Sequence, residues 1–152
     1  MVPDAIEREI LIEAPVAKVW AAITTAEHIG AWFGNAGATV DLRPGGALTC
    51  TWRDDENGTA DTVNAVVEKV DEPHLFSYRW ARPPGAPVRA DNSTLVEFTL
   101  RPEGAVTRLK VMESGYHALA EPDEQKAAHL ADNTEGWRLE LGELVDYLRT
   151  MP

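Results

Sequence analysis

The chain contains 152 residues, of which 44% are hydrophobic and 26% are charged, as in an ordinary globular protein. This length suits one domain spanning residues 1–152, which can bury a core without a disulfide or a metal ion. The formal net charge of −11 marks an acidic protein that repels phosphate backbones and anionic membranes, so we expect no nucleic-acid partner.

The first third of the chain predicts one strand followed by two short helices. Charged and apolar residues partly alternate over residues 7–13, which indicates a strand, and Arg8 lies in phase with the apolar positions. Pro15 suits the first turn of a helix, because its missing N–H costs nothing there, and apolar residues recur at helical spacing through residues 16–23. A second short helix is predicted over residues 27–32.

The middle of the chain predicts a meander of six strands. The expected strands lie within residues 39–42, 48–52, 59–70, 75–80, 96–100 and 109–111, separated by turn signals such as Arg43-Pro44-Gly45-Gly46. Residues 82–92 contain three prolines and are predicted to form a mobile loop. Glu113 alternates in phase with Leu109 and Val111, so we expect it on the apolar face of the last strand.

From residue 123 onwards, helix formers replace strand formers and predict a long C-terminal helix. Its apolar stripe is formed by Trp137, Leu141, Leu144, Val145 and Leu148. Gly136 and Gly142 lie inside this helix, where each costs up to about 1 kcal/mol relative to alanine. We interpret them as sites of close approach by the sheet, or as space for a ligand.

The element order predicts an α+β fold in which an antiparallel sheet is covered by the C-terminal helix. No apolar run approaches the ~20 residues of a membrane span, and residues 1–9 lack the apolar segment of a secretory signal. The single cysteine, Cys50, rules out an internal disulfide framework. We therefore expect a cytoplasmic protein.

A series of motifs, taken in order and spacing, resembles a known family. The motifs are Ile12-Glu13-Ala14-Pro15, Val19-Trp20, Trp32-Phe33, Arg43-Pro44-Gly45-Gly46, Val70-Asp71-Glu72-Pro73, residues 76–80, Glu113-Ser114-Gly115-Tyr116 and Gly136-Trp137. Over roughly residues 6–148, the chain is similar to START-like (SRPBCC) helix-grip domains. More narrowly, it resembles the AHSA-type group named after the activator of the 90-kDa heat-shock-protein ATPase.

This resemblance implies a curved seven-stranded antiparallel sheet around the long helix, two short helices between strands 1 and 2, and an internal cavity. Across the family, such cavities often hold hydrophobic or amphipathic small molecules. Relatives include cyclases, hydrolases, lipid-binding proteins and stimulators of a chaperone ATPase. The family resemblance therefore leaves several functions open.

Aromatic residues form the main candidate site, since the chain has five tryptophans. We predict that a small hydrophobic or lipid-like ligand binds between the sheet and the C-terminal helix. The predicted ligand contacts are Arg8, Trp32, Trp52, Phe76, Tyr78, Trp80, Phe98, Met112, Glu113, Trp137 and Leu141. The alternative is that these side chains simply fill the core.

Two charged residues are predicted to point inward, where a buried charge needs a partner. Arg8 and Glu113 either pair with each other or meet the polar end of a ligand; alternatively, both reach solvent from strand ends. The four histidines show no metal-ligand spacing, and we place His129 at the surface. With no Gly-x-Ser-x-Gly elbow, we assign no catalytic residue, metal or cofactor.

Two other functions compete with ligand binding. A cyclase- or hydrolase-type enzyme would use the same cavity, with Glu113, Arg8 or Tyr78 as its polar groups. A protein-interaction module would stimulate a chaperone ATPase through its acidic surface. Homodimerisation through a sheet edge or the exposed loops is compatible with the sequence, although no residue pattern requires it.

Overall fold

A curved sheet of seven antiparallel strands surrounds the last helix in the computed structural model, which describes residues 3–151. In chain order the elements are β1 (Ala5–Ile12), α1 (Val16–Thr24), α2 (Ala26–Trp32), β2 (Ala38–Val40), β3 (Ala47–Asp54), β4 (Thr59–Asp71), β5 (Leu75–Ala81), β6 (Ser93–Glu103), β7 (Val106–Ser114), a 3-10 turn (Tyr116–Ala118) and α3 (Asp123–Thr150). The predicted helix-grip architecture, including two short helices between the first two strands, is confirmed.

The strand order is β1-β7-β6-β5-β4-β3-β2, so consecutive strands from β2 to β7 form hairpins and β1 joins the far edge. In the β1–β7 pair, Ile6 lies opposite Glu113 and Arg8 lies opposite Val111. The long strand β4 contains a register shift between Val67 and Lys69. Such bulges bend a strand and increase its twist, which helps the sheet curve around α3.

Two glycines hold the segment between α2 and β3 in place. Gly46 is buried, and a Cβ there would lie 2.0 Å from the backbone oxygen of Asp41. Gly34 has φ +77°, and a Cβ there would lie 2.7 Å from the backbone oxygen of Thr51. Only glycine fits such close backbone approaches, so the chain leaving α2 is held against β3.

The core lies between the inner face of the sheet and the three helices. Trp137, Leu141, Leu144 and Leu148 are buried, which confirms the predicted apolar stripe of α3. The indole of Trp32 donates a hydrogen bond of 2.8 Å to the backbone oxygen of Ala22, and this bond ties α2 to α1. Of the helices within residues 3–151, none combines the length and apolar character that crossing a membrane requires.

Candidate ligand-binding site

A pocket of about 340 Å³ lies between the inner face of the sheet and α3. Its volume falls within the roughly 300–1,000 Å³ that is usual for small-molecule sites. Four aromatic side chains from four segments line it: Phe33 after α2, Trp52 in β3, Trp80 in β5 and Trp137 in α3. The site therefore depends on the complete fold rather than on one local motif.

Phe33 is the centre of this aromatic wall. Its ring stacks on Trp80 and Trp137, with centroid distances of 5.7 Å and 5.6 Å, and meets Trp52 edge-on at 5.2 Å. Each such aromatic pair contributes about 0.5–1.5 kcal/mol beyond its area burial. Gly34, with φ +77°, follows Phe33 directly, and the Phe33 ring lies between Trp80 of the sheet and Trp137 of the helix.

Glu113 lies behind this wall and is completely buried. Its Oε2 accepts hydrogen bonds from Trp80 Nε1 at 2.7 Å and Thr94 Oγ1 at 2.6 Å, while its Oε1 accepts one from Trp137 Nε1 at 2.9 Å. The side-chain amide of Asn133 lies 3.1 Å from both oxygens. Because a buried carboxylate needs donors around it, this cluster fixes two wall tryptophans on one acceptor.

The inward direction predicted for Glu113 is thus observed, but its partners are neutral donors. Arg8 faces the same side of the sheet and is half-buried, yet residues 3–151 contain no Arg8–Glu113 ion pair. The charge of Arg8 instead helps to lower the pKa of Glu135 on α3, after the larger effect of the Arg138 hydrogen bond. The hypothesised Arg8–Glu113 pair is therefore not formed.

A second carboxylate, Glu140 on α3, lines the pocket directly. Its Oε1 accepts a long hydrogen bond of 3.5 Å from Trp52 Nε1, and its Oε2 is buried without a hydrogen-bond partner in the described chain. Burial raises the pKa of Glu140, while Trp52 and the nearby Gly34 amide act in the opposite direction. Unlike Glu113, this carboxylate keeps unused capacity to accept hydrogen bonds.

His129 and Arg82 line the pocket as well, and both also line a neighbouring pocket of about 320 Å³. His129 was predicted at the surface, but it is buried edge-on against Tyr116, with Nδ1 3.5 Å from Glu121 Oε1. Burial lowers the pKa of His129, and the charge of Arg82 lowers it further. Because Arg82 begins the Pro-rich segment, residues 82–92 contribute to the pocket rim.

The predicted ligand contacts other than Arg8 lie in three environments: the pocket, the filled core and the outer face of the sheet. Trp52, Trp80 and Trp137 line the pocket, with Glu113 behind them. Four others pack around a void of only about 10 Å³ and belong to the filled core: Trp32, Phe76, Tyr78 and Phe98. Leu141 is buried in the α3 stripe, and Met112 faces outward, since it alternates with the inward Val111 and Glu113.

Among the pocket-lining residues that the sequence prediction omitted are Asn133 and Glu140, which share a face of α3 with the predicted Trp137. Asn133, Gly136, Trp137 and Glu140 follow one another at helical spacing, so all four lie on one face of α3. That spacing was the available signal. A Cβ at Gly136 would meet no atom within 4 Å, which favours the interpretation of this glycine as space for a ligand. Within residues 3–151, no cluster of three or more His, Cys, Asp or Glu residues is arranged to hold a metal ion.

Comparisons with solved structures agree with this architecture. A protein from Mesorhizobium loti is 23% identical, with a TM-score of 0.75 over 97% of this chain and 98% of that one. DynU16, a protein of the dynemicin biosynthetic locus, is 24% identical with a TM-score of 0.72, over 97% of this chain and 48% of DynU16. The Aha1 dimer from Colwellia psychrerythraea is 21% identical with a TM-score of 0.70, over 97% and 96% of the two chains.

At these identities, the structures show the fold alone. No curated protein sequence matches the chain. The family model described as Activator of Hsp90 ATPase homolog 1-like protein matches residues 13–149, which include both carboxylates and the whole aromatic wall. The chain therefore belongs to the Activator of Hsp90 ATPase homolog 1-like family.

Proposed function

We propose that this protein binds a small, largely apolar molecule with a flat ring system in the pocket between the sheet and α3. The observation that carries this proposal is the aromatic wall of Phe33, Trp52, Trp80 and Trp137 around about 340 Å³. Flat aromatic side chains bury large areas of apolar ligand while losing little conformational freedom of their own.

The rigidity of the wall supports this proposal. Two indoles are held by hydrogen bonds to Glu113 and by stacking on Phe33, so binding requires little further ordering of these side chains. Gly136 keeps the helix side of the pocket open. The related fold of DynU16, from a biosynthetic locus, agrees with a small-molecule ligand.

An enzyme of the cyclase or hydrolase kind receives less support from the same geometry. The Glu113 oxygens are already occupied by donors, and Tyr78 lies in the filled core, where burial raises its pKa well above the usual range. Arg8 does not line the pocket. The polar groups that such an enzyme would use therefore do not meet in one place, and binding without chemistry is favoured.

A role as an ATPase activator or as a homodimer rests on the family description and on the Colwellia dimer. Large hydrophobic side chains exposed within residues 3–151 are Leu11, Leu42 and Leu139. They belong to three different segments: β1, the β2–β3 turn and α3. Singly exposed hydrophobic residues are normal on protein surfaces and do not by themselves indicate an interface.

Isothermal titration calorimetry with naphthylmethanol as a neutral ring probe tests the proposal, and decanol tests the lipid-like alternative. Two variants of α3 provide a matched comparison. Gly136→Leu places a side chain in the pocket, whereas Gly142→Leu places the same side chain on the exposed face of the same helix. Thermal unfolding confirms that both variants fold.

We expect saturable binding of naphthylmethanol to the wild type and to Gly142→Leu, and no binding to folded Gly136→Leu. If decanol binds more strongly than naphthylmethanol, the pocket prefers a linear chain to a flat ring. Absence of binding by both probes, or equal binding to the two leucine variants, would overturn the proposal.

A further inference from the structure

Within residues 3–151, Glu140 is the one carboxylate that lines the main pocket. It extends from α3 toward Trp52 of β3, with the Gly34 amide nearby. Its Oε2 is shielded from water, yet no donor in the described chain bonds to it. A buried acceptor left without a donor costs about 1–3 kcal/mol, so this arrangement needs a reason.

Glu140 has fewer hydrogen-bond donors around its carboxylate than Glu113 has. Both oxygens of Glu113 are surrounded by indole, hydroxyl and amide donors, as buried carboxylates normally are. Glu140 has one long bond from Trp52 and a weaker interaction with the Gly34 backbone amide, and its Oε2 has no partner in the described chain. Glu113, behind the aromatic wall, therefore has hydrogen-bond donors at both oxygens. Glu140, which lines the pocket, does not.

The charges around Glu140 favour a cation at this end of the pocket. Glu143, one turn along α3, adds negative charge nearby. Burial, and to a smaller extent the charge of Glu140, raises the pKa values of Cys50 and Tyr78, so both stay neutral and protonated. The positive side chain that lines the same pocket, Arg82, is exposed and belongs to the Pro-rich rim.

The aromatic wall is also suited to a cation. Tryptophan and phenylalanine rings attract an ammonium group that lies within about 6 Å of the ring centroid. Trp52 is both a wall residue and the donor to Glu140, so a group placed beside this carboxylate also lies near an indole. The net charge of −11 raises the local concentration of cationic ligands further.

We infer that the ligand of this pocket is an amphipathic amine: a flat apolar body occupies the aromatic wall, and its protonated nitrogen donates hydrogen bonds to Glu140. This inference rests on the proposed function, since it names the ligand class of the same site. Ammonium donates up to three hydrogen bonds and accepts none, which matches a carboxylate with unused acceptors.

Three probes with the same ring system test the inference by calorimetry near neutral pH: naphthylmethylamine, naphthylmethanol and naphthoate. They differ in charge, being positive, neutral and negative. Glu140→Gln removes the charge of the proposed anchor at nearly constant shape. Asp146→Asn removes an exposed charge from the same helix, outside the pocket lining, and serves as the matched control.

We expect the amine to bind roughly tenfold more tightly than the alcohol, as one charge-assisted hydrogen bond predicts, and naphthoate to bind most weakly. Glu140→Gln should weaken amine binding by about tenfold and change alcohol binding by less than about twofold, and Asp146→Asn should change both by less than about twofold. If naphthoate binds as tightly as the amine, or if Glu140→Gln keeps the amine preference, the inference is wrong while alcohol binding still supports the proposed function. If none of the three probes binds, both are wrong.

Discussion

Trp137 on the last helix donates a hydrogen bond of 2.9 Å from its indole Nε1 to Oε1 of the buried Glu113 at the end of β7. This bond joins the helix to the sheet directly behind the pocket. Trp80 donates a hydrogen bond to the other oxygen of the same carboxylate. Glu113 therefore both joins the helix to the sheet and fixes two indoles that line the pocket.

Glu113→Gln should lower the free energy of unfolding by about 1–3 kcal/mol, the usual effect of leaving buried donors without an acceptor. Glutamine presents an NH2 group to a cluster made of donors, so at least one indole, hydroxyl or amide loses its partner. Urea unfolding monitored by circular dichroism measures the change.

Glu97→Gln on the neighbouring strand β6 is the control for this experiment. Glu97 lies opposite the outward-facing Met112 and is only half-buried. Its substitution should change the free energy of unfolding by no more than about 0.5 kcal/mol. Equal effects of the two substitutions would show that the Glu113 cluster does not stabilise the fold.

Alanine at Gly136 or Gly142 should raise the free energy of unfolding by about 0.4–1 kcal/mol, because it restricts the unfolded chain. An added Cβ meets no atom within 4 Å at either position. Gly46→Ala should strongly destabilise the protein, since its Cβ would lie 2.0 Å from a backbone oxygen. A loss of stability in Gly136→Ala, measured by thermal unfolding, would contradict an open pocket beside the helix.

Glu140→Gln should stabilise the ligand-free protein at neutral pH. Burial raises the folded-state pKa of Glu140, so the stability it contributes is present below its ordinary pKa of 4.5 and is lost as the pH rises through the folded value. After solvent screening, we expect a gain of a few tenths to about 1 kcal/mol at neutral pH. Urea unfolding should show this gain disappearing below about pH 4.5; a variant less stable than the wild type at neutral pH would refute the prediction.

Cys50 should make the protein lose stability in alkali. Burial, and to a smaller extent the charge of Glu140, raises the pKa of the Cys50 thiol from 9.0 to about 12. The free energy of unfolding should therefore fall as the pH rises from 9.0 towards about 12, by up to about 1.4 kcal/mol per pH unit for this one group.

Tyr78 contributes to the alkaline loss in the same direction, since its pKa is also raised by burial. Cys50→Ala should therefore reduce the alkaline slope without abolishing it. Urea unfolding at several pH values gives the slope of the free energy of unfolding against pH for the wild type and for Cys50→Ala. The smaller side chain changes the free energy of unfolding by the same amount at every pH, so it does not affect the slope. Equal slopes would show that the buried thiol does not titrate as expected.

The sequence predicts the fold well because the two periodicities are unambiguous. Alternation of period two marks most of the strands, and the spacing of Trp137, Leu141, Leu144 and Leu148 marks one face of a helix. Turn signals such as Gly45-Gly46 separate the strands. Local patterns are therefore sufficient for the element order, while the curvature follows from the family resemblance and the strand order is known from the structure.

The pocket is predicted less completely, because alternation gives the face of a residue but not what covers it. Phe76, Tyr78 and Trp80 share one face of β5, yet Trp20 of α1 packs on Phe76 while Trp80 is left to line the pocket. The position of the two short helices on the sheet depends on tertiary packing, so the pattern of one strand does not predict which of its residues they cover.

The polar part of the site is hidden for a related reason. Asn133 and Glu140 lie beside the apolar stripe of α3, where polar residues usually face solvent. Only the curvature of the sheet brings them against Glu113 and Trp52. Met112 shows the opposite case: we predicted it as a ligand contact, although its alternation with Glu113 indicates the outer face.

The most direct test of the account uses the five tryptophan indole N–H signals in a ¹H–¹⁵N NMR spectrum, recorded during titration with naphthylmethanol. Trp52, Trp80 and Trp137 line the pocket, whereas Trp20 and Trp32 are buried in the filled core. We expect saturable shifts for the first three signals and little change for the other two. Unchanged pocket signals at high probe concentration, or shifts at Trp20 and Trp32 alone, would contradict a ligand site between the sheet and α3.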